Sequence, residues 1–93
     1  DCYLLKVSGN SMTGADIHDG DYVLVRNRQV AANWDIVAVT LDDEATLKRY
    51  SRMGDSVLLI PENKEYEPIQ LQDNQARIMG VVVGILQREF VES

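Results

Sequence analysis

The sequence predicts a mainly β protein: a single domain of short, mostly antiparallel strands, arranged as a sandwich or a partly closed barrel. Three observations carry this reading. Apolar residues recur with a period of two in short runs, as on a half-buried strand. Each run is flanked by Asp, Asn, Gly or Pro, the residues that turn a chain. No stretch keeps a 3.6-residue period long enough for an independently stable helix. The 93 residues suffice for one domain and not for two. They contain no repeat, linker or low-complexity tract, so residues 1–93 read as one unit.

The elements follow in order. "DCYLLKV" opens with an apolar run (Tyr3, Leu4, Leu5, Val7), and "GNSMTG" then reads as a glycine turn. "GADIHD" has room for one helical turn, and "DGD" at 19–21 is a turn. "DYVLVRN" places Tyr22, Leu24 and Arg26 on one face of a strand, with Val23 and Val25 on the other. "NRQVAAN" (27–33) is expected to form a turn or two of helix ending at Asn33. "DIVAVTL" is a β-rich run after Asp35, and "LDDE" at 41–44 turns the chain. "EATLKRY" alternates again: Ala45, Leu47 and Arg49 on one side, Thr46, Lys48 and Tyr50 on the other. "RMGD" turns into "DSVLLIP", which stops at Pro61. "RIMGVVVGILQREF" is long, β-branched and broken by Gly80 and Gly84. A glycine inside a strand marks a bulge or the close approach of another backbone. "GVVVGIL" is apolar on both faces, which suits either a buried central strand or a strand at a subunit interface.

Composition narrows the function classes. The net charge of −6, from 15 acidic and 9 basic side chains, repels phosphate backbones and makes the chain a poor DNA binder by itself. The single cysteine, Cys2, excludes an intramolecular disulfide and fits a reducing compartment; it reads as a small hydrophobe rather than a reactive thiol. No apolar run approaches the ~18 residues of a membrane span, and no signal sequence opens the chain. The expected location is the cytoplasm. The opening, already in mid-strand style, suggests a fragment or a processed product.

Few side chains offer chemistry. His18 has no second His and no Cys nearby, so zinc lacks ligands, and His18 is expected at the surface. Asp19 and Asp21 around Gly20 resemble the start of a calcium loop but lack its later ligands, and capping a turn accounts for them. "GNSMTG" opens no convincing helix and has no lysine for a phosphate loop. No metal or cofactor is implied. Ser11 sits in the glycine turn, where a hydroxyl ordinarily bonds the local backbone. His18, seven residues on, makes an unpersuasive triad partner. Lys48 lies within a strand between Thr46 and Tyr50. It either snorkels to solvent or sits in a dry pocket. There desolvation would lower its pKa and let the neutral amine take a proton from a serine hydroxyl.

Taken together, "VSGNSM", "DGDYVLV", "WDIVAV…EATLKRY", "VLLIPENKEYEPI" and "GVVVGIL" resemble, in order and spacing, the C-terminal domain of the LexA repressor family. UmuD-type mutagenesis proteins and temperate-phage repressors share the pattern. The likeness runs from Tyr3 to Leu86. "SM" with "KR" is also found in type I signal peptidases, whereas the "PEN" block points to the LexA side. The resemblance implies a partly closed β fold of the LexA and signal-peptidase kind. It also implies a self-cleaving serine peptidase, with Ser11 as nucleophile, Lys48 as base, and the backbone N–H groups of Asn10 and Ser11 as oxyanion donors.

It further implies a homodimer paired through Gly80, Val81, Val82, Val83, Gly84, Ile85 and Leu86. The implied role is in the SOS response: a RecA–single-stranded-DNA filament stimulates cutting of a small-residue bond in an upstream loop. DNA would be bound only through an N-terminal domain absent from these residues. Two departures from the pattern stand out. Trp34 and Asp16 occupy positions where the family has glycine, so both turns are expected to differ. Trp34 reads as packing at a cleft rim, with a surface aromatic as the alternative. A UmuD-like polymerase partner and a non-catalytic dimerisation module are the competing readings.

Overall fold

The computed structural model describes residues 1–72 and 75–87. Seven strands form one sheet: β1 (Cys2–Lys6), β2 (Tyr22–Arg26), β3 (Ile36–Leu41), β4 (Glu44–Met53), β5 (Ser56–Ile60), β6 (Ile69–Gln70) and β7 (Arg77–Leu86). Their order is β1-β2-β7-β3-β4-β5-β6, and every neighbouring pair is antiparallel. Positions 88–90 of the run "RIMGVVVGILQREF" lie outside the described residues. Among the described residues, no helix is long and apolar enough to cross a membrane.

Turn chemistry sets the hairpins. Asp42 and Asp43 both hold positive φ (51° and 65°) in the two-residue β3–β4 loop, as a type I′ turn requires. Gly54 (φ 61°) opens the β4–β5 loop. The helix expected over 27–33 is absent. Asp35 Oδ2 accepts the Ala32 N–H at 2.9 Å, and the Asp35 N–H bonds the Ala32 carbonyl at 3.1 Å. This local bonding replaces a helical ladder. "GADIHD" yields only a 3-10 turn, Thr13–Ala15. The two turns expected to differ keep a glycine-like backbone. Asp16 ends the 3-10 turn at φ 60° and Trp34 stands at φ 74°, the latter a strained conformation for a bulky side chain. Trp34 is 62% exposed, so it is a surface aromatic and not a packing residue.

Strand alternation creates two cores. Val37 and Val39 of β3 pack with Tyr50, Val57, Leu59 and Val81. Ala38, between them, packs with Met12, Ile17, Val23, Val25 and Leu47. Bulges at Leu24/Val25 and at Ala38/Val39, both against β7, bend the sheet. The loop after β5 then bonds the turn after β1: the Glu62 N–H donates to the Ser11 carbonyl, and the Gly14 N–H to the Glu62 carbonyl. The architecture is therefore one partly closed sheet and not a sandwich of two. Cys2 is exposed on the edge strand rather than packed.

The two glycines of β7 differ. A Cβ at Gly80 would meet Val25 Cγ1 at 2.6 Å as well as the Arg26 carbonyl, whereas at Gly84 the nearest atom lies 3.6 Å away. We expect Gly80→Ala to cost about 2 kcal/mol through overpacking, lowering Tm by roughly 10 °C for a domain of this size. Gly84→Ala should leave Tm within about 3 °C, since surrounding contacts are ordinary. Thermal unfolding of the pair measures both. Burial of β7 on both faces holds only for its first half. Gly80 and Val81 are buried, but Val83, Ile85 and Leu86 are exposed. Pairing with β3 ends at Val81, so beyond it only β2 flanks the strand among the described residues.

Candidate active site

β1 delivers the serine turn. The Val7 N–H donates to the Asp21 carbonyl and the Gly20 N–H to the Val7 carbonyl, tying the end of β1 to the "DGD" turn. Gly9 adopts φ 92°, which suits glycine, and its N–H donates to Asp19 Oδ1 at 2.8 Å. Asp21 accepts the His18 N–H at 2.8 Å. These aspartates thus cap turns. No group of three His, Cys, Asp or Glu able to hold a metal occurs among the described residues. Met12, directly after Ser11, is 2% exposed and lies in the first core. Burial of this side chain anchors the turn, so Ser11 stays at the surface of the core with its position set.

β4 delivers the lysine. Leu47 and Tyr50, either side of Lys48, enter opposite cores, and this holds the strand in place. Lys48 is 7% exposed, so the snorkelling alternative does not hold. Its Nζ lies 3.2 Å from Ser11 Oγ, 3.1 Å from Thr46 Oγ1 and 3.2 Å from the Leu47 carbonyl. All three partners are neutral. No carboxylate pairs with the amine among the described residues. Burial therefore pushes the Lys48 pKa below its ordinary value near 10.5, because desolvation disfavours the ammonium without a compensating charge. An amine of this kind, in hydrogen-bond reach of a hydroxyl, can act as a general base.

No hydrogen bond from the Asn10 or Ser11 N–H to another described residue occurs. Beside Ser11 lies a small, narrow cleft lined by Leu5, Val7, Ser11, Met12, Ala45 and Thr46. Among the described residues, β1 is the first strand of the sheet and nothing pairs with its outer edge. Among them too, the Glu44–Lys48 half of β4 pairs with β3 only, since pairing with β5 starts at Arg49. Two strand edges with unpaired backbone groups therefore border the cleft, the setting in which an extended peptide can add as a strand.

His18 is not part of the site. Its side chain, 52% exposed, bonds Asp16 Oδ1 at 2.9 Å. The contacts of Asp16 with His18 and Gln87 hold its carboxyl below the ordinary range. The expected dimer residues lie on β7 and its edge, away from the cleft's lining.

Sequence alternation set Thr46 beside Lys48 and turn chemistry made Asp19 a cap, without giving either a role at the site; Arg49 and Asn63 were missed. Thr46 binds the amine, and Asp19 fixes Gly9. Arg49 Nε donates to Glu62 Oε2 at 2.8 Å, and its Nη1 to the Trp34 carbonyl at 2.7 Å. Asn63 Nδ2 donates to the Asn10 carbonyl at 2.7 Å. The "KR" and "PEN" blocks were the available signal for the last two.

The family model described as Peptidase S24-like matches residues 1–83. The chain is 46% identical over 88 residues to a LexA repressor of Caldicellulosiruptor saccharolyticus, covering 95% of this chain and 43% of that protein. It is 52% identical over 86 residues to the LexA repressor of Streptomyces coelicolor (92% and 36%), and 49% over 86 residues to that of Acidothermus cellulolyticus (92% and 30%). The chain spans less than half the length of these relatives.

Proposed function

The chain belongs to the Peptidase S24-like family, and from that premise we propose that it is the self-cleaving and dimerising domain of a LexA-type repressor. The observation that carries the proposal is the 3.2 Å contact between a buried, unpaired lysine amine and Ser11 Oγ. In the proposed reaction the neutral Lys48 amine takes the Ser11 hydroxyl proton, and Oγ attacks the scissile carbonyl. The Asn10 and Ser11 N–H groups bind the oxyanion. The Lys48 ammonium then gives its proton to the leaving amine, and water, deprotonated by the same amine, releases the acyl group. A peptide lying between the open edges of β1 and β4 would place its carbonyl beside Oγ.

In this reading the bond cut lies upstream, in a loop with a small-residue pair such as Ala-Gly. A RecA–single-stranded-DNA filament promotes docking of that loop in the cleft. Two copies pair through the 80–86 stretch of β7, whose apolar residues Val83, Ile85 and Leu86 are exposed and whose edge beyond Val81 has no partner on the β3 side among the described residues. Such a contact is self-complementary about a twofold axis. Cleavage would sever a DNA-binding domain from the dimer and so remove the avidity of two linked half-site contacts.

The test is the chain preceded by a segment carrying an Ala-Gly bond, incubated at alkaline pH and separately with the RecA filament. We expect first-order cleavage whose rate constant is independent of protein concentration. Absence of cleavage under both conditions overturns the peptidase reading. Ile85→Glu with Leu86→Glu should convert a dimer to a monomer in sedimentation while leaving that rate constant within about twofold, because an intramolecular step needs no second copy. A wild-type chain that sediments as a monomer at high concentration overturns the dimer.

A further inference from the structure

Asn63 stands next to the serine turn but touches neither member of the dyad. Its amide is oriented unambiguously. Oδ1 accepts the Glu65 N–H at 2.9 Å, so Nδ2 must be the atom that donates to the Asn10 carbonyl at 2.7 Å. The carbonyl of Asn10 and the N–H of Ser11 belong to one planar peptide, and no peptide among the described residues is cis. In a trans peptide these two groups point in opposite directions. Pinning the carbonyl towards Asn63 therefore turns the Ser11 N–H away from it. Asn63 lines a hollow with Thr13, Gly14 and Pro61, whereas Ser11 and Met12 line the separate cleft that Asn63 does not line. The following peptide is held likewise, by the Glu62 N–H on the Ser11 carbonyl. Arg49, the neighbour of Lys48 on β4, grips Glu62 through its carboxylate. Residues 62–63 thus splint both peptide planes around the serine and fasten the splint to the strand that bears the base.

We propose that Asn63 is a positioning residue for oxyanion binding: its side-chain amide, by holding the Asn10 carbonyl, aims the Ser11 N–H at the oxygen that becomes negative during attack. This rests on the peptidase reading above. A preorganised donor is valuable because its orientation is fixed before charge develops. Without the splint the Asn10–Ser11 peptide can rotate, and the donor is lost in a share of encounters.

The test compares wild type, Asn63→Ser and Asn63→Ala, each preceded by the cleavable Ala-Gly segment. Serine keeps a hydroxyl to accept the Glu65 N–H, but its side chain is one atom too short to reach the Asn10 carbonyl, and neither substitution adds charge near Lys48. A peptide boronic acid with a small side chain, added to the 93-residue chain, reports oxyanion binding directly, since its adduct on Ser11 Oγ is a tetrahedral boronate anion whose hydroxyl takes the oxyanion position. We expect the high-pH plateau rate to fall roughly 10- to 100-fold, somewhat below the loss from deleting an oxyanion donor outright. Boronate affinity should fall by the same factor. The pH midpoint of cleavage should stay in place, because the groups around Lys48 are untouched, and affinity for an uncleavable peptide should not change. Rate and boronate affinity within threefold of wild type in both variants overturn the proposal, as does a slower rate with boronate affinity intact. If the wild-type chain neither cleaves nor binds the boronate, the peptidase reading itself falls and this role with it.

Discussion

Ser11→Ala should abolish cleavage and leave the fold as it was. Loss of a serine nucleophile costs on the order of 10⁶-fold in rate when base and nucleophile act as a unit. The structure explains why stability should not follow. Ser11 supports its turn through its backbone carbonyl, which accepts the Glu62 N–H, and alanine retains that group. The hydroxyl contributes only the contact with Lys48, whose amine keeps Thr46 Oγ1 and the Leu47 carbonyl as partners. A Tm within about 3 °C of wild type is therefore expected, in line with a substitution that opens no sizeable cavity. The check is electrophoresis of the Ala-Gly fusion over days at alkaline pH, beside a melting curve. Cleavage at the wild-type rate would remove Ser11 from the mechanism.

Lys48 gives the second large effect, on rate and stability in opposite directions. In the proposed reaction the neutral amine is the base, so the wild-type rate should climb tenfold per pH unit and level off at a midpoint below the 10.5 of an ordinary lysine. Lys48→Arg should be inactive at every pH tested, since a guanidinium keeps its proton. Lys48→Met should lose about 10²- to 10⁴-fold or more, the usual worth of a general base.

For stability the sign follows from proton binding. The lysine pKa is lower in the fold than in the unfolded chain. Between the two values the unfolded state binds the extra proton, so stability rises with pH across that window. Below both values the fold carries the full cost of a buried ammonium. Lys48→Met removes that cost, so its Tm at neutral pH should exceed that of wild type, with the gap narrowing as pH approaches 10.5. Calorimetry at neutral pH and near pH 10 decides this. A methionine variant less stable than wild type at neutral pH would mean that the amine's hydrogen bonds outweigh its desolvation.

The strands were legible because each buries at least one face, and burial writes itself as alternation. "DYVLVRN" became β2 with Val23 and Val25 inward, and "DSVLLIP" became β5, stopping before Pro61. Placement of Lys48 beside Thr46 followed from the same two-residue period. What alternation does not encode is which turn meets which strand. Ser11 and Lys48 are 37 positions apart, and only family resemblance joined them before the fold was known. The Glu62–Asn63 splint was less visible still: it works on backbone carbonyls, which every residue has, so no side-chain pattern marks its targets. The helix expected at 27–33 failed because the Asp35 carboxylate competes for backbone N–H groups. The apolar run of β7 fits a buried strand only in part. Its second half outlasts β3, so residues that look like core face outward.

The position of β7 has a consequence for biosynthesis. In the strand order of the described residues, β1 and β2, which flank the Ser11 turn, are hydrogen-bonded to the sheet of β3 to β6, which carries Lys48, through β7. During translation these two groups of strands emerge before β7. The sheet is completed when β7 enters between them, a non-local step of the kind that slows folding. Until that moment Ser11 and Lys48 stand on strands that no continuous sheet joins. On the peptidase reading proposed above, cleavage would wait until β7 has been made.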